Sequence, residues 1–322
     1  MLRLASSWVW DFWFADDGDL YHLYFLKASR ALLDPDRRHW RASVGHATSR
    51  DLTNWVERED ALVPSDEGAF DDLATWTGSV VRDAQGTWRM FYTGVDRQGR
   101  GLIQRVGQAR SDDLSVWHKV GASGVVAPDH ENYESLSDGA WPDEAWRDPW
   151  VFADPSGEGW HMLVTARARS GASHDRGIVG HAWSADLSGW KVLPPLSRPG
   201  AGFGQLEVLQ LVQIERRHVL LFSCMTPELS EERRARGETG GIWAVNVDDP
   251  LGPYDVAGAY RIADESLYVG RAVQARDGAW VLLAFENVGS DGAFVGQITD
   301  PIPLRWEGDR LTLAVGSAAA RP

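Results

Sequence analysis

The chain has 322 residues, a formal net charge of −14 and 43% hydrophobic residues. Such acidity argues against a nucleic-acid partner, where affinity comes largely from basic residues on phosphates, and against an anionic membrane surface. Its one cysteine, Cys224, rules out an intrachain disulfide, and the absence of any apolar run of about 18 residues argues against a transmembrane helix.

The predicted elements fall into five similar units. The first opens with an apolar strand at 8–15 (WVWDFWFA). It turns at Asp16-Asp17-Gly18 and continues through 19–27 (DLYHLYFLK) and 43–49 (SVGHATS) to the turn RDLTNW ending at Trp55. The second runs through 75–81 (TWTGSVV), 86–94 (GTWRMFYTG), 105–111 (RVGQARS) and DDLSVW ending at Trp117. The third has 145–153 (AWRDPWVFA), 158–167 (EGWHMLVTAR), 178–184 (IVGHAWS) and ADLSGW ending at Trp190. The fourth has 204–212 (GQLEVLQLV), 217–224 (RHVLLFSC) and 241–247 (GIWAVNV), and the fifth 267–275 (LYVGRAVQA), 278–286 (GAWVLLAFE) and 293–299 (AFVGQIT). Self-similarity at a long period means an array of one supersecondary unit. Four short strands per unit mean propeller blades, because a radial array hides most sheet edges. The expected fold is therefore all-β, a five-bladed β-propeller of four-stranded antiparallel blades, with blades at 8–60, 75–122, 145–195, 203–258 and 267–315. A single catalytic domain over 1–322 is expected, without a C-terminal β-sandwich.

Between the units, 123–144 reads as an acidic loop. Residues 227–239 carry the charge run SEERRARGE, read as one short helix with a solvated face, and the tail 318–322 reads as frayed. His46 and His181 hold equivalent repeat positions, as does Gln108, which points to packing between blades. No HExxH or Cys/His cluster occurs, so neither a metal site nor a cofactor is predicted. A first strand starting near Trp8 leaves no room for a leader peptide, so the expected location is cytoplasmic. No oligomeric state follows from the sequence.

In a propeller the first strands line the central channel. An acidic residue stands in three of them, amid apolar or aromatic neighbours: Asp11, Asp148 and Glu207. An unpaired buried charge is costly, so acids there call for a reason. Taken singly, Asp11 also reads as a turn residue, Asp148 as the ion-pair partner of Arg147, and Glu207 as a solvated glutamate. Jointly, one acid on each of three inner strands fits cleavage of a sugar acetal. One carboxylate attacks or activates water, and a protonated carboxyl on the other side of the ring protonates the leaving oxygen. The acid needs a raised pKa, which an apolar pocket and a second carboxylate supply. Arg147 would brace the site and keep Asp148 ionised.

At these residues the chain resembles the five-bladed propeller glycosidases of families 32 and 68 and, more distantly, family 43. Residues 9–14 (VWDFWF) are similar to the VWDSWP-type strand of family 68, at the place of the family 32 WMNDPNG strand. Arg147-Asp148-Pro149 matches the RDP motif that families 32 and 68 share, and Thr77-Gly78-Ser79, preceded by Trp76, resembles the family 32 F-S-G-S segment. The Asn-Asp-Pro-Asn-Gly sequence is absent around Asp11, and the usual Glu-Cys pair is Glu207-Val208. The resemblance implies Asp11 as nucleophile, Asp148 as transition-state stabiliser and Glu207 as general acid/base. Trp10, Trp76 and Arg147 would line the sugar subsite. Trp13 in phase with Asp11, Ser79 in the matched segment, and Tyr268 and Arg271 on the fifth inner strand complete the expected substrate-binding set. Glu286 and Asn287 read as structural. The implied activity is retaining hydrolysis of a furanoside, most of all a β-fructofuranoside, with a small carbohydrate as partner. Retention would require Asp11 and Glu207 roughly 5–5.5 Å apart. The rivals are an inverting arabinofuranosidase or xylosidase like family 43, a fructosyl transferase, and a sugar-binding propeller without activity.

Overall fold

Each repeat unit folds into one antiparallel sheet. The computed structural model, which describes residues 1–121 and 125–314, sets five such sheets around a ring. The first blade is β1 (Ser7–Asp16), β2 (Tyr21–Ser29), β3 (Ser43–Ser49) and β4 (Val56–Glu57). The second is β5 (Ala74–Arg82), β6 (Trp88–Val95), β7 (Gln104–Ser111) and β8 (His118–Val120). The third is β9 (Trp146–Ala153), β10 (Trp160–Arg167), β11 (Gly177–Ser184) and β12 (Lys191–Leu193). The fourth is β13 (Glu207–Ile214), β14 (Arg217–Cys224), β15 (Gly241–Val247) and β16 (Tyr260–Asp264), which carries the blade past its expected end at 258.

The fifth blade departs from four plain strands. Next to β17 (Leu267–Gln274) and β18 (Trp280–Val288), its third strand is divided into β19 (Phe294–Ile298) and β20 (Ile302–Glu307), both paired with β18. Pro301 falls in the gap and Pro303 in β20, and neither has an N–H to give the ladder. β21 (Arg310–Leu313) ends the blade. The expected blade ends at 122 and 315 and the tail 318–322 lie outside the described residues.

Inner strands touch in the order β1, β5, β9, β13, β17 and back to β1, which closes the ring. The N-terminal segment clasps the last blade: Leu2 N donates to Ile298 O at 3.0 Å and accepts back through its carbonyl at 2.9 Å. The core lies between blades. Along β14, Val219 and Leu221 pack towards the fifth blade while Leu220 and Phe222 pack towards the third. Successive strand residues face opposite ways, so a strand covered on both sides needs apolar residues at every position. This is why the second strands read as runs, without alternation.

The two expected histidines also pack. His46 Nε2 meets His22 Nδ1 at 3.0 Å, and His181 Nε2 meets His161 Nδ1 at 2.8 Å, each pair stacked. The charge run holds the short helix α1 (Glu231–Ala235), but it is not simply a solvated face. Arg233 is buried over Phe203 and Trp243, and Glu238 pairs with it. No helix among the described residues is long and apolar enough to cross a membrane.

Candidate active site

All five inner strands carry one extra residue at the same level. The register jumps between Trp10 and Phe12 in β1, and between Trp76 and Gly78 in β5. In β9 it jumps between Arg147 and Trp150, in β13 between Glu207 and Gln210, and in β17 between Tyr268 and Arg271. A bulge of this kind re-aims side chains and breaks the alternation of the strand. Asp148, Val208 and Val269 take φ values of 57°, 55° and 52° there, a left-handed backbone that costs free energy in a non-glycine residue. In β5 the kink leaves no room beside Gly78, where a Cβ would overlap Phe91 O.

The bulges build the pocket. The residues just before them, Trp10, Trp76, Arg147, Glu207 and Tyr268, form one ring, and all five line a cavity of about 420 Å³ at the hub. The extra residues Asp11, Thr77, Asp148 and Val208 line it too. A cavity of this size suits a small ligand. Hydroxyls on second strands hold the bulges from the preceding blade. Thr93 Oγ1 accepts from Asp148 N at 2.9 Å, Thr165 Oγ1 from Val208 N at 3.3 Å, and Ser223 Oγ from Val269 N at 3.0 Å.

Three expected substrate-binding residues lie elsewhere, for one reason. Trp13, Ser79 and Arg271 each stand three positions after the residue preceding the bulge, and the extra residue swings that ring out of the pocket. Trp13 is fully buried and stacks on Tyr24. Ser79 Oγ accepts from Val151 N at 3.1 Å, tying the second blade to the third. Arg271 is buried beneath the carboxylates. It donates to Phe12 O at 3.2 Å and Leu209 O at 2.7 Å, and borders a separate cavity with Trp150 and Gln210.

Asp11, Asp148 and Glu207 meet in the hub pocket. Thr77 Oγ1 donates to Asp11 Oδ2 at 2.6 Å. Thr165 Oγ1 donates to Asp148 Oδ2 at 2.9 Å, and Arg147 Nε lies 3.4 Å from the same oxygen. Arg147 is the organising cation. Its Nη1 donates to Gln104 Oε1 at 3.0 Å and its Nη2 to Glu207 Oε1 at 2.6 Å and to Gln205 Oε1. Tyr268 Oη donates to the other Glu207 oxygen at 2.5 Å.

Burial, reinforced by the charges of Asp148 and Glu207, pushes the Asp11 carboxyl up to about 7, against the Thr77 hydrogen bond. Burial also pushes Asp148 up to about 6, against the opposing pull of Arg147. Burial works against the Arg147 charge, but Glu207, Asp148 and Asp143 outweigh it and hold the guanidinium above its ordinary value. His39, lowered to about 3 by burial and then by Arg38 and Arg147, stands neutral in the wall.

Several lining residues had escaped the sequence reading. Arg38, His39 and Trp40 come from the insertion before β3, with Arg38 seated over Trp10 and Phe294. Asp143 comes from the acidic loop, Glu228 from the segment before α1, and Asn287, read as structural, from the end of β18. Insertions are not copied between blades, so repeat comparison passes over them. The bulge-holding hydroxyls did leave a signal, because Thr93, Thr165 and Ser223 each directly follow the apolar run of a second strand. Among the described residues, no group of three or more His, Cys, Asp or Glu is arranged to hold a metal ion.

The model of the glycosyl hydrolases family 32 N-terminal domain matches residues 13–268, well over half of the chain. The chain belongs to family 32. The match opens just after Asp11, so the bulge and pocket are what place that residue. A β-fructofuranosidase of Arabidopsis thaliana (insoluble isoenzyme CWINV6) is 28% identical to the family 32 chain over 191 residues, 58% of it and 32% of the relative. Sucrose-6-phosphate hydrolase of Bacillus subtilis is 32% identical over 169 residues, 51% of the chain and 29% of the relative. These matches thus span about a third of the relatives' own lengths. Among solved structures, an inulosucrase from Halalkalicoccus jeotgali bound to kestose superposes with a TM-score of 0.77 at 22% identity, over 97% of this chain and 90% of that one. Bacillus subtilis levansucrase gives 0.70 at 15%, over 97% and 87%. At such identities the likeness shows the fold.

Proposed function

We propose that the protein is a retaining glycoside hydrolase acting on β-fructofuranosides. The observation that carries the reading is the convergence of Asp11, Asp148 and Glu207, each from its own bulged inner strand, on one cavity held by Arg147. Asp11 is the nucleophile and forms a glycosyl ester. Asp148, kept close to Arg147 Nε, stabilises the oxocarbenium-like state. Glu207 protonates the leaving oxygen and then takes a proton from the incoming water. Trp10, Trp76 and Tyr268 supply aromatic walls that suit sugar C–H faces. Family membership and the names of the relatives, a β-fructofuranosidase and a sucrose-6-phosphate hydrolase, favour fructose in the subsite.

The test is a hydrolysis screen of sucrose, inulin, levan, difructose anhydrides and aryl arabinofuranosides, with the first-formed anomer read by NMR. Release of fructose with retention is expected. Turnover of arabinofuranosides alone, or inversion, would transfer the site to family 43-like chemistry. Sugar binding without turnover across the panel would leave a lectin.

A further inference from the structure

Asp11 and Glu207 have to face one sugar ring from opposite sides, yet they stand on strands that are not neighbours. β17 lies between β13 and β1 in the ring. No single ladder carries both acids, and a bulge breaks the register of each strand at its acid. The retaining route needs the two carboxyls about 5–5.5 Å apart, so the two bulges need a tie across β17.

Arg271 provides that tie from β17 itself. Its Nε donates to Phe12 O at 3.2 Å and its Nη1 to Leu209 O at 2.7 Å. Phe12 directly follows Asp11. Leu209 follows Glu207 by two residues and falls in the gap of the β13 register, where it has no partner in β14. One planar, rigid group thus grips the backbone next to both acids. We propose that Arg271 is a positioning residue, a strut between the β1 and β13 bulges that sets the distance from Asp11 to Glu207. This rests on the nucleophile and acid/base roles proposed above.

The arrangement is costly if folding is its only purpose. Arg271 is 1% exposed, and among the described residues its Nη2 has no partner. A buried cation with an unmet donor costs stability, and well-packed apolar side chains often replace buried charges without loss. Burial lowers the guanidinium to about 10, against the pull of Asp148 and Asp11, so it stays charged near neutral pH. Nor is Arg271 required to join the fourth blade to the fifth. Gln210 already does so: its Nε2 donates to Ala272 O at 2.9 Å, and its Oε1 accepts from Ala272 N at 2.8 Å. What Arg271 adds is the reach to β1, on the far side of its own strand.

The experiment measures kcat and KM on whichever fructofuranoside is hydrolysed, with a thermal melt, for the parent, Arg271→Lys, Arg271→Ala and Gln210→Met. Lysine keeps the charge and loses the fork. Small misplacements of reacting groups cost up to about 10²-fold, so kcat of the folded Arg271→Lys protein should fall roughly 10- to 100-fold with KM little changed. Gln210→Met should lower the melt and leave kcat as it is. Guanidinium ion at a sub-denaturing concentration should restore part of the kcat of Arg271→Ala through the cavity that Arg271 borders, and ammonium ion should not. An Arg271→Lys protein that melts lower but keeps the parent's kcat would reduce Arg271 to a structural role and overturn the strut. An equal loss of kcat in Gln210→Met, or rescue by ammonium as good as by guanidinium, would overturn it too. Should Arg271→Ala not fold, Arg271→Lys and Gln210→Met decide. A parent that cleaves no fructofuranoside removes the reading on which the strut rests, whereas an active parent matched by Arg271→Lys removes the strut alone.

Discussion

The hub and the rim of this propeller use the same side chain to opposite ends. At the rim, the turns ending at Trp55, Trp117 and Trp190 repeat an aspartate: Asp51, Asp113 and Asp186. Asp51 Oδ1 accepts from Thr53 N at 3.0 Å and Asn54 N at 2.8 Å, and Asp113 Oδ1 from Ser115 N at 2.8 Å and Val116 N at 2.9 Å. Asp186 Oδ1 accepts from both the hydroxyl and the N–H of Ser188, at 2.7 and 2.9 Å. Those hydrogen bonds hold all three carboxyls below their ordinary range. The next residue, Leu52, Leu114 or Leu187, is buried with φ of 63°, 62° or 66°. At the hub, Asp11 and Asp148 are lifted instead, because burial and neighbouring carboxylates outweigh their few donors. The rim positions are copied in three blades, whereas the positions that line the hub pocket differ from blade to blade. In the ring before the bulges stand two tryptophans, an arginine, a glutamate and a tyrosine.

The sharpest way to break this comparison is Asp11→Asn. Turnover should fall at least about 10³-fold, as for loss of a nucleophile. Stability should move the other way. The folded carboxyl, at about 7, keeps a proton that the unfolded chain, at 3.8, has already lost. The parent therefore loses stability as pH rises through that window, and the amide does not. Thermal melts of the two should agree near pH 4, with the variant melting higher above pH 7. A variant that melts lower throughout would mean that Asp11 supports the fold.

At the rim the expected pattern is reversed. Leu187→Ala should cost about 2–5 kcal/mol in urea unfolding, as a buried leucine does, with KM unchanged. Asp186→Ala should cost about 1 kcal/mol by the same measurement. The smallest effect separates one hydrogen bond from its surroundings. Thr77→Val removes the donor that lowers Asp11, so the acid limb of kcat/KM should move to higher pH by less than about one unit. A limb that moves down would give that titration to another group.

The sequence already carried the blade count and the three acids, because both are pattern features. Each blade repeats turn and apolar run, three of the five repeat the rim turn, and Asp11, Asp148 and Glu207 interrupt apolar strands. The bulges left no such mark. A single extra residue at Asp11, Thr77 or Asp148 changes no residue type, yet it reverses which side chains face the hub. Strict alternation from Asp11 therefore put Trp13 in the pocket, and Ser79 and Arg271 failed at the equivalent level. Asp143 and Glu228 stayed hidden because they sit in insertions, where no second copy draws attention to them. Arg233 shows the same limit: its charge run reads as solvated until Phe203 and Trp243 are seen to cover it.

The most direct measurement of the central claim is to mix the Glu207→Gln variant with β-D-fructofuranosyl fluoride, whose fluoride leaves without a proton, and map the protein by mass spectrometry. On the proposed mechanism, that variant keeps the attacking group and lacks the acid/base that would help water release the sugar. The expected result is a gain of one anhydrohexose, localised to the peptide containing Asp11 and absent in Asp11→Asn/Glu207→Gln. An adduct on a different carboxylate, or hydrolysis by the parent enzyme with inverted product and no adduct at all, would contradict it.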